Sequence, residues 1–137
     1  MRKISEVMTT NVKVVRPDET VQNAARMMAD MDVGAIPVCD GTKLLGMVTD
    51  RDITVRATAE GRGGETKVSE VMTRDVVWCT EDDDTQEVLD RMAASQVRRI
   101  PVVDQDKNLV GIVALGDLAI EEEENVDETL RDISMPA

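Results

Sequence analysis

The chain contains no histidine, phenylalanine or tyrosine, and tryptophan occurs once. Without histidine it lacks the side chain most often used as general base and metal ligand near neutral pH. The missing rings leave valine, isoleucine, leucine, alanine and nine methionines to fill the core. Methionine packs adaptably but specifies shape less firmly. The only two cysteines, Cys39 and Cys79, have no metal-type spacing and read as small core residues with reduced thiols. Whether they could pair is a question of geometry that spacing alone does not answer.

Positive charge is in deficit. Sixteen basic residues face 28 acidic ones, for a net charge of −12. Such a surface repels phosphate backbones, so nucleic acid is not an expected partner, although a local basic pocket can still hold one small anion. Long apolar runs are also lacking: the stretch from Leu109 to Leu115 is far too short to span a bilayer. The start, Met1-Arg2-Lys3-Ile4-Ser5-Glu6, turns polar too soon for a signal peptide. These features lead to the expectation of a cytoplasmic protein with no membrane partner. No nucleophile-elbow motif, metal-ligand cluster or distinct carboxylate pair stands out, so no catalysis and no required cofactor are expected.

What the chain does have is a repeat. Ile4-Ser5-Glu6-Val7-Met8-Thr9 returns as Val68-Ser69-Glu70-Val71-Met72-Thr73, and Ile36-Pro37-Val38 returns as Ile100-Pro101-Val102, at an offset of 64. One extra residue near Asp106 raises the offset to 65. Leu44-Leu45-Gly46-Met47-Val48 then aligns with Leu109-Val110-Gly111-Ile112-Val113, and Asp52 with Asp117.

Each copy reads as strand, helix, strand, strand, helix, a mixed α/β (α+β) unit. Val12 to Val15 and Val76 to Cys79 are short β-branched runs. Pro17-Asp18-Glu19-Thr20 is an acidic helix opening, followed by Val21, Ala24, Ala25, Met28 and Met31 at helical spacing. Its counterpart opens with Glu81 to Asp84 and buries Val88, Leu89 and Met92. Gly34 ends the first helix, and Arg98 takes the same place in the second. Ile36 to Cys39 and Leu44 to Thr49 form a hairpin turning at Gly41. A last helix starts near Asp50 and stops before Gly61-Arg62-Gly63-Gly64. The expected organisation is repeat 1 over 1–60, a linker over 61–67, repeat 2 over 68–120 and an acidic tail over 121–137. Neither half has the apolar surface to stand comfortably alone, so the repeats are expected to pack together. In the tail, Glu121 to Glu124 form a solvated face, and Val126, Leu130 and Ile133 share one helical face that would dock on the body or on a second subunit.

The order of these signals resembles the cystathionine-β-synthase-type (CBS) domain, and the pair resembles a CBS-pair, or Bateman, module over essentially residues 1–120. Gly46-Met47-Val48-Thr49-Asp50-Arg51-Asp52 matches the family's Gly-h-x-Thr/Ser-x-x-Asp ligand motif in full. The length and the Thr49-Asp50-Arg51-Asp52-Ile53 string look like small bacterial stand-alone members of the hypoxic response protein type. The resemblance implies a pseudo-twofold module, usually a homodimer. It also implies clefts between repeats that bind AMP, ADP, ATP or S-adenosylmethionine and signal through a conformational change to a downstream partner the sequence does not identify. Some members have no known ligand.

A carboxylate at Asp52 can accept hydrogen bonds from both hydroxyls of a ribose cis-diol, and Thr49 adds a hydroxyl at the strand-to-helix junction, where free backbone N–H groups favour an anion. Thr49-x-x-Asp52 is equally a capping-box pattern, which leaves a purely structural role open. The second copy keeps Asp117 but has Ala114 in place of the hydroxyl, so its site should be weaker or empty. Arg98 and Arg99 form a one-sided basic pair, at positions where nucleotide-binding relatives often place phosphate contacts, and Asp50 and Arg51 are expected to flank the same cleft. Val12, Val14, Ile36 and Pro37, with Val76, Trp78, Ile100 and Pro101, are candidates for an apolar slot around a base. A lone Trp on a short strand such as Trp78 is more often a core or dimer-interface residue than a base-stacking one. The runner-up to a ligand sensor is a structural or dimerisation module with no nucleotide ligand.

Overall fold

The computed structural model describes residues 2–118, and within them the chain forms two compact bodies whose limits cross the repeat boundaries. One body comprises residues 13–76. The other joins residues 2–12 to residues 77–118. The tail positions Glu121 to Glu124, Val126, Leu130 and Ile133 lie outside the described residues.

In the first body, helix α1 (Val21–Met31) starts at Thr20, whose hydroxyl accepts the Asn23 N–H at 3.2 Å. Asp18 and Glu19 precede this cap instead of filling the first turn. Glu19 accepts the Arg16 N–H and the Asn23 side-chain amide. The helix buries Val21, Ala24 and Met28, each worth up to about 1.5–3 kcal/mol for the larger side chains, and leaves Ala25 and Met31 exposed. It ends at Asp32 in the left-handed region (φ 55°), not at Gly34. Asp is one of the few residues that enters this region readily, so no glycine is needed there. Gly34 has another use. Its carbonyl accepts the Asp50 N–H, and a Cβ at Gly34 would lie 3.1 Å from the Asp50 carboxylate.

Strands β1 (Ala35–Asp40) and β2 (Lys43–Thr49) pair antiparallel, with Ala35 opposite Thr49 and Ile36 opposite Val48, and Gly41 supplies the positive φ of the turn. The expected strand over Val12–Val15 contracts to one parallel bridge, Val15 to Val38. Only Val15 bonds through both its N–H and its C=O, because Asn11 turns to φ 56° just upstream and Pro17 follows close behind. Helix α2 (Asp50–Ile53) continues into a π-type turn over Thr54–Thr58. The segment after the glycine loop then folds back as a 3₁₀ turn, Val68–Glu70, placing Val68, Val71 and Met72 in the core with Ile36, Val38 and Val48. The Arg56 guanidinium fastens it by donating to the carbonyls of Val71 and Met72.

The second body holds a three-stranded sheet in the order β3 (Cys79–Thr80), β4 (Arg99–Val103), β5 (Leu109–Ala114), with β3–β4 parallel and β4–β5 antiparallel. The run from Val76 to Cys79 thus becomes a strand only at its end. Helix α3 (Thr85–Ser95) packs Val88, Leu89 and Met92 into a core with Ile4, Ile100, Val113, Leu115 and Leu118, and Gln96 (φ 54°) ends it as Asp32 ends α1. Helix α4 (Leu115–Leu118) follows β5 directly. Cys39 and Cys79 are buried and free, each within its own body. Burial pushes their thiols up to about 11 and about 12, which makes both poor nucleophiles.

Candidate functional site

The motif glycines create the site by allowing two backbones to cross. In the first body Thr73 lies against β2, exchanging N–H···O bonds with Met47 at 2.8 and 2.9 Å. A Cβ at Gly46 would fall on the Thr73 carbonyl oxygen, well inside van der Waals contact. The second body repeats the device: Thr9 pairs with Ile112, and a Cβ at Gly111 would meet Met8 Sδ at 2.8 Å and Thr9 O at 2.9 Å. Residue 46 or 111 must therefore be glycine for the Val-Met-Thr segment to reach the strand.

At the end of β2, Thr49 and Asp52 form a complete capping box. The Thr49 hydroxyl accepts the Asp52 N–H at 2.9 Å, and Asp52 Oδ2 accepts the Thr49 N–H at 3.0 Å. The Thr73 hydroxyl adds a donor to the same carboxylate, 3.1 Å from Oδ1 and 3.3 Å from Oδ2. Asp52 is 8% exposed, and its carboxylate is bonded on every side the protein reaches. A carboxylate has about four acceptor positions, and two donor protons occupy it here. The other acceptor positions have no protein donor among the described residues. Thr73 was not among the residues singled out from the motif; the only signal for it is that the repeated Val-Met-Thr string ends there.

In the first body Ile36 and Pro37 lie on β1, just after the residue that pairs with Thr49, and Val14 precedes the residue that bridges to β1. Ile36 is fully buried in the core, Pro37 is buried, and Val14 is half-buried. Ile36 therefore packs the interior, and Val14 is the most accessible of the three. Asp50 is exposed and accepts the Arg51 N–H.

In the second body Asp117 Oδ2 accepts the Ala114 N–H at 2.8 Å, the reciprocal half of the cap, but residue 114 offers no hydroxyl. No Thr9 hydrogen bond reaches Asp117 among the described residues, and Asp117 is partly exposed. Arg98 is exposed and Arg99 half-exposed, with no carboxylate in ion-pairing range of either among the described residues. Ile100 and Pro101 are buried. Trp78 is 43% exposed, so it is not a core residue, and the Lys107 ammonium sits 5.8 Å from its ring centroid.

A cavity of about 410 Å³ opens elsewhere on the first body, lined by Val21, Ala25, Ile53, Ala57, Arg62 and Glu65 among others. None of the expected site residues lines it. The charge chemistry sits at Thr49–Asp52, and that junction is the better candidate. No group of histidine, cysteine or acidic side chains suited to a metal ion occurs among the described residues, and no helix among them is long and apolar enough to cross a membrane.

Comparison with known proteins agrees with this arrangement. The family model for the CBS domain matches residues 4–57 and 68–124. The CBS domain-containing protein YhcV of Bacillus subtilis is 49% identical over 125 residues, covering 91% of this chain and 89% of YhcV. Hypoxic response protein 1 of Mycobacterium tuberculosis is 37% identical over 121 residues, covering 87% of this chain and 84% of that protein. The crystal structure of Hypoxic Response Protein I with two coordinated zinc ions superposes with a TM-score of 0.80 at 35% identity, over 88% of this chain and 98% of that one. CBSX2, solved in complex with AMP, shares the fold with a TM-score of 0.80 at 23% identity, over 90% and 98%. With two matched copies and these relatives, the chain belongs to the CBS-domain family as a tandem pair.

Proposed function

We propose that this CBS pair is a regulatory module, not an enzyme, and that it binds an adenosyl compound (AMP, ADP, ATP or S-adenosylmethionine) through Thr49 and Asp52. The observation that carries this reading is the Asp52 carboxylate: it is fixed in place by its own chain yet keeps acceptor capacity for a ribose diol. A charge-assisted hydrogen bond contributes about 1.5–3 kcal/mol, enough to make one carboxylate decide affinity. In the second body, Arg98 and Arg99, which meet no carboxylate in ion-pairing range among the described residues, are suited to a phosphate. Asp117, without a hydroxyl at Ala114, is assigned the weaker role. The module is read as a cytoplasmic homodimer, with exposed Met31 and Val55 as apolar candidates for the contact. Sedimentation at micromolar concentration tests that state. Signalling requires that the ligand bind two arrangements with different affinity.

A second reading has its own support. The capping box already employs Thr49 and Asp52, which suits a structural or dimerisation module with no nucleotide ligand. Isothermal titration of the four compounds separates the two. Heat of binding with at least one of them, weakened roughly tenfold to a hundredfold in Asp52→Asn, supports the sensor. No heat with any of them supports the structural module.

A further inference from the structure

We propose that Thr73 is a positioning residue that sets the two motif aspartates apart, holding Asp52 in the orientation that accepts a ribose diol. This inference rests on the adenosyl-ligand reading above. Asp52 is held by the Thr49 N–H and by the Thr73 hydroxyl, which spans both carboxylate oxygens at 3.1 and 3.3 Å. Among the described residues Asp117 receives only the Ala114 N–H. The threonine that corresponds to Thr73 by repeat register is Thr9, which crosses its strand at Ile112 just as Thr73 crosses at Met47. The backbone device is therefore the same in both bodies, and the side-chain bond exists in one. An Asp side chain pinned at two points loses little freedom when a diol arrives, whereas one pinned at a single point must be ordered by the ligand. The Thr73 hydroxyl oxygen lies within hydrogen-bonding distance of both carboxylate oxygens, and with one proton to donate it takes up a single acceptor position.

The test is calorimetric titration of AMP and ATP, and of their 2′,3′-dideoxy counterparts, into wild type, Thr73→Val, Thr73→Ser and Thr9→Val. Thr73→Val should weaken AMP or ATP binding roughly threefold to tenfold. Thr73→Ser should restore it to within about twofold because the donor returns. Thr9→Val should leave it unchanged. The dideoxy nucleotides bind wild type more weakly, and Thr73→Val should weaken them no further, since Thr73 acts only through Asp52 and the diol. A general loosening of the fold would weaken both nucleotide sets alike and overturn the proposal. In an Asp52→Asn background Thr73→Val should add no further loss. Should Thr73→Val not fold, Thr73→Ala supplies the same comparison. Unchanged or tighter AMP and ATP binding in the Thr73 variants, with wild type binding normally, overturns the role of Thr73 alone. Wild-type protein that takes up neither nucleotide overturns this inference, and the adenosyl reading falls with it when ADP and S-adenosylmethionine also give no heat.

Discussion

Replacing Gly46 with alanine tests how the site is assembled. The added methyl would overlap the Thr73 carbonyl oxygen, and the obstacle is backbone, not a side chain that can swing away. Two hydrogen bonds hold the crossing, Met47 N–H to Thr73 O at 2.9 Å and Thr73 N–H to Met47 O at 2.8 Å. Each contributes about 0.5–1.5 kcal/mol net, and the Thr73–Asp52 bond, with its charged acceptor, about 1.5–3 kcal/mol. Moving Thr73 away from the strand strains or breaks all three, so Gly46→Ala should cost up to about 2.5–6 kcal/mol. Gly111→Ala should cost less, because its backbone obstacle, the Thr9 carbonyl oxygen, stands off at 2.9 Å and the other, at 2.8 Å, is the flexible Met8 thioether. Gly116→Ala lies in α4 and meets nothing within 4 Å, so it should stabilise the protein, by up to about 1 kcal/mol. Urea unfolding followed by far-ultraviolet circular dichroism gives all three values. A Gly46→Ala variant within about 0.5 kcal/mol of wild type would refute the argument that the glycine exists for the crossing.

Three further outcomes follow from the same geometry. Ala114→Thr restores the missing half of the second cap and should stabilise the protein by about 0.5–1 kcal/mol in urea; a loss would mean the junction cannot accept the hydroxyl. Burial opposes ionisation of Asp83, but the Thr80 N–H at 2.8 Å and the Arg91 guanidinium at 2.9 Å outweigh it and hold the carboxyl below its usual range. Its folded value is depressed, so its stabilisation is complete above the unfolded value of about 3.9 and is lost as pH falls through the folded value. Wild type should therefore lose more stability than Asp83→Asn on acidification below about pH 4, and equal losses in denaturant titrations would contradict this. Iodoacetamide at pH 8 should label neither thiol of the folded protein and both in urea, because burial holds them at about 11 and about 12 against about 8.5 when exposed. Mass spectrometry reads the adducts, and native labelling at the unfolded rate would show that the thiols are not enclosed.

Much of the fold was legible because its signals are local. Val21, Ala24 and Met28 recur at helical spacing, and Gly41 marks the hairpin turn, so α1 and β1–β2 could be placed from the chain alone. The end of α1 could not. Asp32 takes the left-handed conformation itself, while Gly34 is kept for the approach of Asp50, a contact 16 residues away. The exchange of leading segments, with residues 2–12 joining one body and 68–76 the other, depends on long-range pairing that no local pattern encodes. At the site, the Thr49–Asp52 spacing signalled both a ligand motif and a cap, and the cap is complete in the folded chain. Thr73 was invisible because its bond to Asp52 spans 21 residues and the same Val-Met-Thr string makes no such bond at Thr9. Trp78, a lone aromatic on a short β run, proved exposed beneath Lys107, which hydrophobicity alone would not suggest.

The central claim is that an adenosyl compound is held by the carboxylate at the β2–α2 junction. The most direct measurement is amide chemical-shift mapping by nuclear magnetic resonance as AMP, ADP, ATP and S-adenosylmethionine are each titrated into uniformly labelled protein. The Thr49 and Asp52 amides, both bonded within the capping box, and the neighbouring Thr73 amide should move in a saturable way with at least one of the four, and should stay in place in Asp52→Ala. Saturable shifts confined to other residues, or none with any of the four, would contradict the account and leave Thr49 and Asp52 as a helix cap.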